Sequence, residues 1–225
     1  MAEPDRVARC IDAMRRAVNI PVTIKCRIGI DDQDSERDLA RFVTTVASTG
    51  CDTFIVHARK AWLKGLSPKQ NRDIPPLDYG RVHRLKAEHP ELTVIINGGL
   101  ADVDDALAHL DDLDGAMLGR AAYHTPYVLA DVDRLVFNEA GQVRTREQIV
   151  RQFMEYVERQ LTAGVRLHAM TRHILGLFHG QPNARKFRRI LSTDATTSGA
   201  GLQVIESALA AITACPEAVA STTEV

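Results

Sequence analysis

Aromatic residues and cysteine are scarce in this chain of 225 residues, which has one tryptophan and four cysteines. The cysteines form no CxxC pair, which argues against a zinc site or a disulfide framework and favours a reducing cytoplasm. No apolar run approaches the roughly 20 residues that a membrane-spanning helix needs. The sequence also has no Walker loop and no GxGxxG turn. These absences predict a cytoplasmic protein with neither a membrane partner nor a metal site.

The charge is unevenly distributed along a chain whose composition is otherwise that of an ordinary globular protein, with 45% hydrophobic and 25% charged residues. Residues 1–143 carry a net charge of −4, residues 144–190 carry +7, and residues 191–225 carry −4. A basic block rich in arginine predicts a polyanionic partner. The alternative is a helical surface on which charges are merely unevenly placed.

Helical and strand patterns alternate over the first half of the chain. Helices are predicted over 3–18, 35–49, 78–88 and 102–110, and short apolar strands over 22–28, 53–57, 93–96 and 115–118. This alternation is typical of a parallel sheet covered by helices, either open or closed into a barrel.

Only helices are predicted in the second half, over 127–137, 145–163, 167–178, 183–191 and 201–213. We therefore assign residues 1–126 to an α/β domain, residues 127–213 to a helical domain, and residues 214–225 to a disordered tail.

Two polar residues fall on the predicted strands where a ligand could reach them. Lys25 lies within the first strand and His57 ends the second, each on the face opposite the apolar set. A lysine inside a strand is costly to bury without an anionic partner, so the pair predicts donors to an electron-rich, partly anionic ligand. The alternatives are a lysine that extends to solvent and a hydrogen-bonded core histidine.

Glycines follow the third and fourth predicted strands, as Asn97-Gly98-Gly99 and Gly119-Arg120. Glycine lets backbone N–H groups approach a phosphate, and an arginine can neutralise its charge. In an eight-stranded barrel the loops after the last two strands commonly bind phosphate. The alternative is that the glycines simply mark loops.

Two basic segments remain. The first, which we call the basic loop, comprises residues 58–72 and carries Lys60, Lys64, Lys69 and Arg72. The second is a predicted helix on which Arg185 and Arg188, three residues apart, share one face. Both fit phosphate and base contacts with a folded RNA, although solvated surfaces would have the same pattern.

Taken together, five segments resemble the tRNA-dihydrouridine synthases. They are residues 22–31, 57–69, 96–99, 118–122 and 172–182, and the likeness as a whole covers about residues 1–213. The basic loop and the last segment resemble the bacterial subfamily that modifies positions 20 and 20a of the tRNA D-loop.

The resemblance implies an FMN-binding (β/α)8 TIM barrel followed by a small all-α domain that binds tRNA, with this chain holding the C-terminal half of the barrel. It implies reduction of uridine to 5,6-dihydrouridine, with hydride passing from NADPH to FMN and then to uridine C6. The implied contacts with the flavin ring are Lys25 and His57, and the implied contacts with the ribityl phosphate of FMN are Asn97, Gly98, Gly99, Gly119 and Arg120. The implied tRNA contacts are Lys69, Arg72, Arg185 and Arg188.

One feature of the family is missing. Its proton-donating cysteine lies in an Asn-x-Gly-Cys-Pro motif that this sequence does not contain, and none of Cys10, Cys26, Cys51 and Cys215 is suitably placed to replace it. We therefore assign no catalytic residue and expect an N-terminally truncated copy that is inactive and poorly folded alone. The expected partner is tRNA, without DNA, and the chain is expected to be monomeric. Two other functions stay open: another FMN-dependent TIM-barrel oxidoreductase, or a non-catalytic tRNA-binding remnant.

Overall fold

The computed structural model describes residues 1–213 of the chain. Within these residues the chain divides into two compact units, Met1–Gly119 and 120–213. This division falls slightly before the predicted one at residues 126 and 127, because a helix begins at Arg120, soon after the last strand ends at Met117.

The first unit alternates helices and strands. In chain order its elements are α1 (Pro4–Ala17), β1 (Ile24–Arg27), α2 (Glu36–Ala47), β2 (Thr53–His57), α3 (Gln70–Asp73), α4 (Tyr79–Glu88), β3 (Thr93–Asn97), α5 (Val103–Leu110) and β4 (Gly115–Met117). The alternation predicted from the sequence is confirmed, and the structure adds α3 within the basic loop.

The four strands form one parallel sheet in the order β1-β2-β3-β4. Within the described residues the sheet is open, with β1 and β4 at its edges. Because all four strands run in the same direction, their carboxyl ends lie along a single edge of the sheet.

One face of the sheet is buried beneath helices. Cys26, Phe54, Val56, Val94 and Ile96 alternate along their strands toward this face, and each is at most 7% exposed. Helices α1, α2 and α4 cover them with Ile11, Leu39, Phe42, Val43, Val46, Val82 and Leu85. The opposite face carries Lys25, Ile55 and Ile95, which stay partly or fully exposed.

Side-chain caps fix where two of the covering helices, α2 and α4, begin. Ser35 and Asp38 form a reciprocal capping box at the start of α2, in which the Ser35 hydroxyl accepts from Asp38 N at 3.1 Å and the Asp38 carboxylate accepts from Ser35 N at 3.1 Å. Asp78 caps α4 by accepting a hydrogen bond from Arg81 N. Both caps follow loops from the carboxyl ends of strands, so they help to fix the edge of the sheet where those loops begin.

The second unit contains helices only, within its described part. They are α6 (Arg120–His124), a 3-10 turn (Pro126–Leu129), α7 (Val132–Leu135), α8 (Arg146–Thr162), α9 (Leu167–Thr171), α10 (Ala184–Thr193), a second 3-10 turn (Asp194–Thr196) and α11 (Leu202–Thr213). Their common core includes Val150, Val157, Leu167, Phe187, Leu191, Ile205 and Ala208.

Two predicted helices of this unit are wrong in detail. The segment 127–137 is a 3-10 turn followed by the short α7, because Asp131 leaves the helical conformation at φ −96° and ψ 0°. The helix predicted over 167–178 ends at Thr171, and the rest of that segment forms successive tight turns. Gly176 lies in these turns so close to the His124 carbonyl oxygen that a β-carbon would be 1.8 Å away. The apolar spacing was correct, but turns satisfy it as well as a helix does.

Among residues 1–213, no helix is both long and apolar enough to cross a membrane. The predicted disordered tail, residues 214–225, lies outside the residues that the structure describes.

Cysteine alkylation tests the packed first unit of the structure against the poorly folded chain that the missing motif led us to expect. Cys10 is exposed, whereas Cys26 and Cys51 are buried. Desolvation raises the pKa of Cys51 and raises that of Cys26 to about 12, and the thiolate is the reactive form. At neutral pH we expect iodoacetamide to label Cys10 at least roughly a hundredfold faster than Cys26 and Cys51, with all three labelled in guanidinium. Peptide mapping by mass spectrometry gives the rates. Equal rates without denaturant would mean that the sheet is not packed.

Candidate functional site

The register of the sheet aligns polar residues across its carboxyl edge. Arg27 of β1 is paired with His57 of β2, which is paired with Asn97 of β3, and Asn97 is paired with Met117 of β4. Lys25 lies two residues before Arg27 and therefore on the same face. The structure thus brings Lys25, His57 and Asn97 to one face and one end of the sheet.

A hydrogen-bonded network joins three of the strands at this edge. The Lys25 ammonium donates to Asn97 Oδ1 at 2.6 Å, and Asn97 Nδ2 donates to the Met117 carbonyl oxygen at 2.7 Å. Asn97 is 8% exposed, and its own carbonyl accepts from Ala58 N at 2.9 Å. The amide of Asn97 is therefore held in one orientation, and it holds the Lys25 ammonium in turn.

The charges around Lys25 favour an anionic ligand. Desolvation lowers the pKa of Lys25, and the positive charge of Arg27 lowers it further. The pKa of Arg27 is itself lowered, first by desolvation and then by the charges of Arg59 and Arg72. Cations held near one another repel, so an electron-rich group at this edge would be stabilised by all of them.

His57 packs against the glycine turn that follows β3. Gly98 has a φ of +109°, and a β-carbon on it would lie 3.0 Å from Cε1 of His57. Gly99 has a φ of +76°, and its β-carbon would lie 2.6 Å from Leu77 and 2.8 Å from the Tyr79 hydroxyl. Both glycines are therefore required by the left-handed backbone and by close packing, whether or not they also bind a phosphate.

Tyr79 is a residue of this site that the sequence interpretation missed. Its hydroxyl donates to the Gly98 carbonyl oxygen at 2.7 Å, which fixes the turn from the side of α4. Desolvation raises the pKa of Tyr79, so the phenol stays protonated and remains a donor at neutral pH. The Asp78 cap directly before it marks the start of a helix, but no sequence signal indicates that the next side chain reaches back to Gly98.

The remaining predicted phosphate contacts stay predictions. Gly119 is the last residue of the first unit, and the space beside its α-carbon is open. Arg120 begins α6 and the second unit.

The described cysteines lie away from the carboxyl edge of the sheet. Cys26 points to the buried face, opposite Lys25, and Cys51 is buried just before β2 begins, at the amino end of that strand. Cys10 is exposed on α1. Cys215 lies outside the described residues. Within residues 1–213, therefore, no thiol shares the face that carries Lys25 and His57.

The basic loop is folded against the end of β1. Arg27 donates to the Lys60 carbonyl at 2.9 Å and to the Asn71 carbonyl at 2.8 Å. The Lys60 ammonium is paired with Asp34 and lies 5.2 Å from the centre of the Trp62 ring. These contacts fix both ends of the loop.

Lys64, Lys69 and Arg72 remain exposed on the loop, and Lys69 precedes α3 while Arg72 lies within it. The sequence did hold a signal for this missed helix, because Ser67 and Gln70 have the spacing of a capping pair. In the structure the side chain of each accepts a hydrogen bond from the backbone N–H of the other. The loop thus presents these three cations to solvent.

One stretch of the second unit carries cations without any carboxylate. Residues 164–193 contain six basic residues and neither aspartate nor glutamate. On α10, Arg185 and Arg188 are exposed, while Phe187 between them is buried, as the spacing predicted. They line an open depression of about 550 Å³ together with His179, Gly180, Gln181, Asn183, Ala184 and Lys186. The surface has the charge and the openness of a site for a large polyanion.

The sequence is similar to those of known proteins. The chain matches the family model described as dihydrouridine synthase over residues 1–213. It is 54% identical over 213 residues to the tRNA-dihydrouridine(20/20a) synthase of Vibrio cholerae, covering 94% of this chain and 65% of that protein. It is 52% identical over 210 residues to the protein of the same name from Escherichia coli K12, covering 93% of this chain and 61% of that one.

The chain therefore spans less than two thirds of the length of these relatives. The match to the family model includes the strands that carry Lys25, His57 and Asn97, the basic loop and the helices up to Thr213. On this match, the chain belongs to the dihydrouridine synthase family.

Proposed function

We propose that this chain provides the flavin-contacting and RNA-contacting parts of a tRNA-dihydrouridine(20/20a) synthase. The activity is the reduction of uridine to 5,6-dihydrouridine at position 20 or 20a of tRNA, with FMN as cofactor and NADPH as reductant. The observation that carries the proposal is the Lys25–Asn97 hydrogen bond of 2.6 Å at the carboxyl edge of a parallel sheet. This edge is where α/β barrels bind their ligands.

The residues at this edge fit a flavin by their chemistry. An isoalloxazine ring offers carbonyl and ring-nitrogen acceptors, and the Lys25 ammonium and the His57 imidazole are donors on the same face. When bound, FMN supplies the two-electron redox chemistry. Lys25 would stabilise negative charge on the ring, and Asn97 would hold the ammonium in position. His57 packs on Gly98, so the imidazole and the Asn97-Gly98-Gly99 turn would be positioned together.

Proton donation to the uridine is not assigned to any described residue. Cys26 is buried on the other face, and burial raises its pKa to about 12. A thiol so placed can reach neither Lys25 nor a ligand beside it. The proposal therefore covers cofactor contact and RNA contact.

The RNA contacts are proposed for two surfaces. Lys69 and Arg72 lie on the basic loop, and Arg185 and Arg188 lie on α10. Phosphate contacts position an RNA, and arginine suits them because its planar guanidinium can form two parallel hydrogen bonds to one phosphate. A basic helical surface without carboxylates is expected of an RNA-binding enzyme and is unnecessary in a reductase of small molecules.

Ligand binding distinguishes this proposal from its alternatives. We expect the purified chain to bind both FMN, detected by quenching of flavin fluorescence, and tRNA, detected by filter binding. Flavin binding without tRNA binding would favour another FMN-dependent TIM-barrel oxidoreductase. Binding of tRNA without flavin would favour a non-catalytic remnant, and binding of neither would contradict the proposal.

Removing the Lys25 charge tests the cofactor contact. In Lys25→Gln the side chain keeps its polarity but loses a charge-assisted hydrogen bond, so we expect the Kd for FMN to rise about tenfold. Lys64→Gln removes the same charge from an exposed position of the basic loop and is the matched control. Fluorescence titration gives both constants. An equal effect of the two substitutions on the Kd for FMN would show that Lys25 acts only through the overall electrostatic potential of the protein.

Removing charge from α10 tests the RNA contact. The double variant Arg185→Ala/Arg188→Ala should bind tRNA more weakly, and the dependence of log K on log salt should become shallower by roughly one to two units. Arg151→Ala is the matched control, because Arg151 is an exposed arginine of the same unit that is paired with Glu147 at 2.7 Å. FMN affinity should stay unchanged in both. An unchanged salt slope in the double variant would show that α10 does not contact the RNA.

A further inference from the structure

The geometry points to Asn71 as the positioning residue of the basic loop, the residue that holds Lys69 and Arg72 in the arrangement in which they meet RNA. Asn71 itself carries no charge and is 9% exposed. The inference rests on the proposed tRNA contact of this loop and adds to it the residue that gives the loop its shape.

The Asn71 side chain closes the loop on itself. Its Oδ1 accepts from Trp62 N at 2.7 Å, and its Nδ2 donates to the Trp62 carbonyl at 2.6 Å. The same Nδ2 lies 3.3 Å from the Leu66 carbonyl and 3.5 Å from the Ser67 carbonyl. One buried amide thus satisfies backbone groups along the loop that have no regular secondary structure to satisfy them.

The backbone of Asn71 ties this arrangement to the sheet. Its carbonyl oxygen accepts from the Arg27 guanidinium at 2.8 Å, and its N–H donates to the Ser67 carbonyl at 2.9 Å. Asp31 adds a second attachment by accepting from Leu63 N at 2.8 Å. Asn71 therefore connects the tip of the loop, the turn that starts α3 and the end of β1.

The charges of the loop explain why such a residue is needed. Lys64, Lys69 and Arg72 are exposed and repel one another, which favours an extended and mobile loop. Lys69 directly precedes α3 and Arg72 follows Asn71 within it, so the amide that closes the loop also fixes the backbone from which both cations project. A loop ordered in advance loses less conformational entropy when RNA binds.

The effect should be confined to the loop. Every side-chain partner of Asn71 lies within residues 62–67, and none of these residues belongs to the apolar core of the first unit. Loss of the amide should therefore loosen the loop and leave the sheet and its helices intact.

Two substitutions test the inference. Asn71→Ala removes all the amide bonds, whereas Asn71→Asp keeps the acceptor for Trp62 N but replaces the donor with an oxygen that repels the three carbonyls. We expect both to weaken tRNA binding about tenfold, with faster amide hydrogen exchange at residues 62–71 and unchanged circular dichroism. Asn19→Ala, at an exposed asparagine of the same unit, is the matched control and should change neither tRNA affinity nor hydrogen exchange in the loop.

A double-mutant cycle separates positioning from a general structural role. If Asn71 acts by presenting Lys69 and Arg72, then Asn71→Ala should have little further effect on tRNA affinity in the Lys69→Ala/Arg72→Ala background. Full additivity in that cycle would overturn the inference, as would normal tRNA binding by Asn71→Ala and Asn71→Asp. Failure of the unsubstituted chain to bind tRNA would instead contradict the proposed function, and this inference with it.

Discussion

The hydrogen bond from Lys25 to Asn97 joins the first and third strands across the second, and the arrangement of the candidate cofactor site depends on it. Asn97 can accept this bond in a fixed direction because its amide nitrogen is already committed to Met117 of the fourth strand. The result is an ammonium held at the carboxyl edge of the sheet with its pKa lowered by desolvation. A group in this condition is poised to stabilise an anionic or electron-rich partner.

Residues that are not proposed to contact a ligand help to hold the backbone of the basic loop and of the glycine turn. In the basic loop the cations are exposed, while the buried Asn71 and the Arg27 guanidinium hold the backbone from which they project. At the glycine turn, His57 and Tyr79 hold the backbone of Gly98. Asn71 and Tyr79 carry no charge, yet they hold the backbone beside the charged or polar groups, so we expect their substitution to affect ligand binding as loss of a cation does.

Much of this arrangement could be predicted from the sequence, for identifiable reasons. The two-residue period of a strand places Lys25 opposite Cys26, and parallel strands bring their carboxyl ends together, so the sequence alone groups Lys25, His57 and Asn97. The bonds of Asn71 and Tyr79 could not be predicted, because irregular loops have no periodicity from which contacts follow. The helix predicted over 167–178 failed for a related reason, since successive turns bring Ile174 and Leu177 to the core at the same spacing.

The most direct test of the account is a crystal structure of this chain grown with FMN. The account predicts a flavin on the sheet face that carries Lys25 and His57, in contact with the Lys25 ammonium while Asn97 still accepts its hydrogen bond. A flavin bound elsewhere, or a Lys25 side chain turned away from Asn97 with no flavin beside it, would contradict the claim that the carboxyl edge of this sheet is the cofactor site.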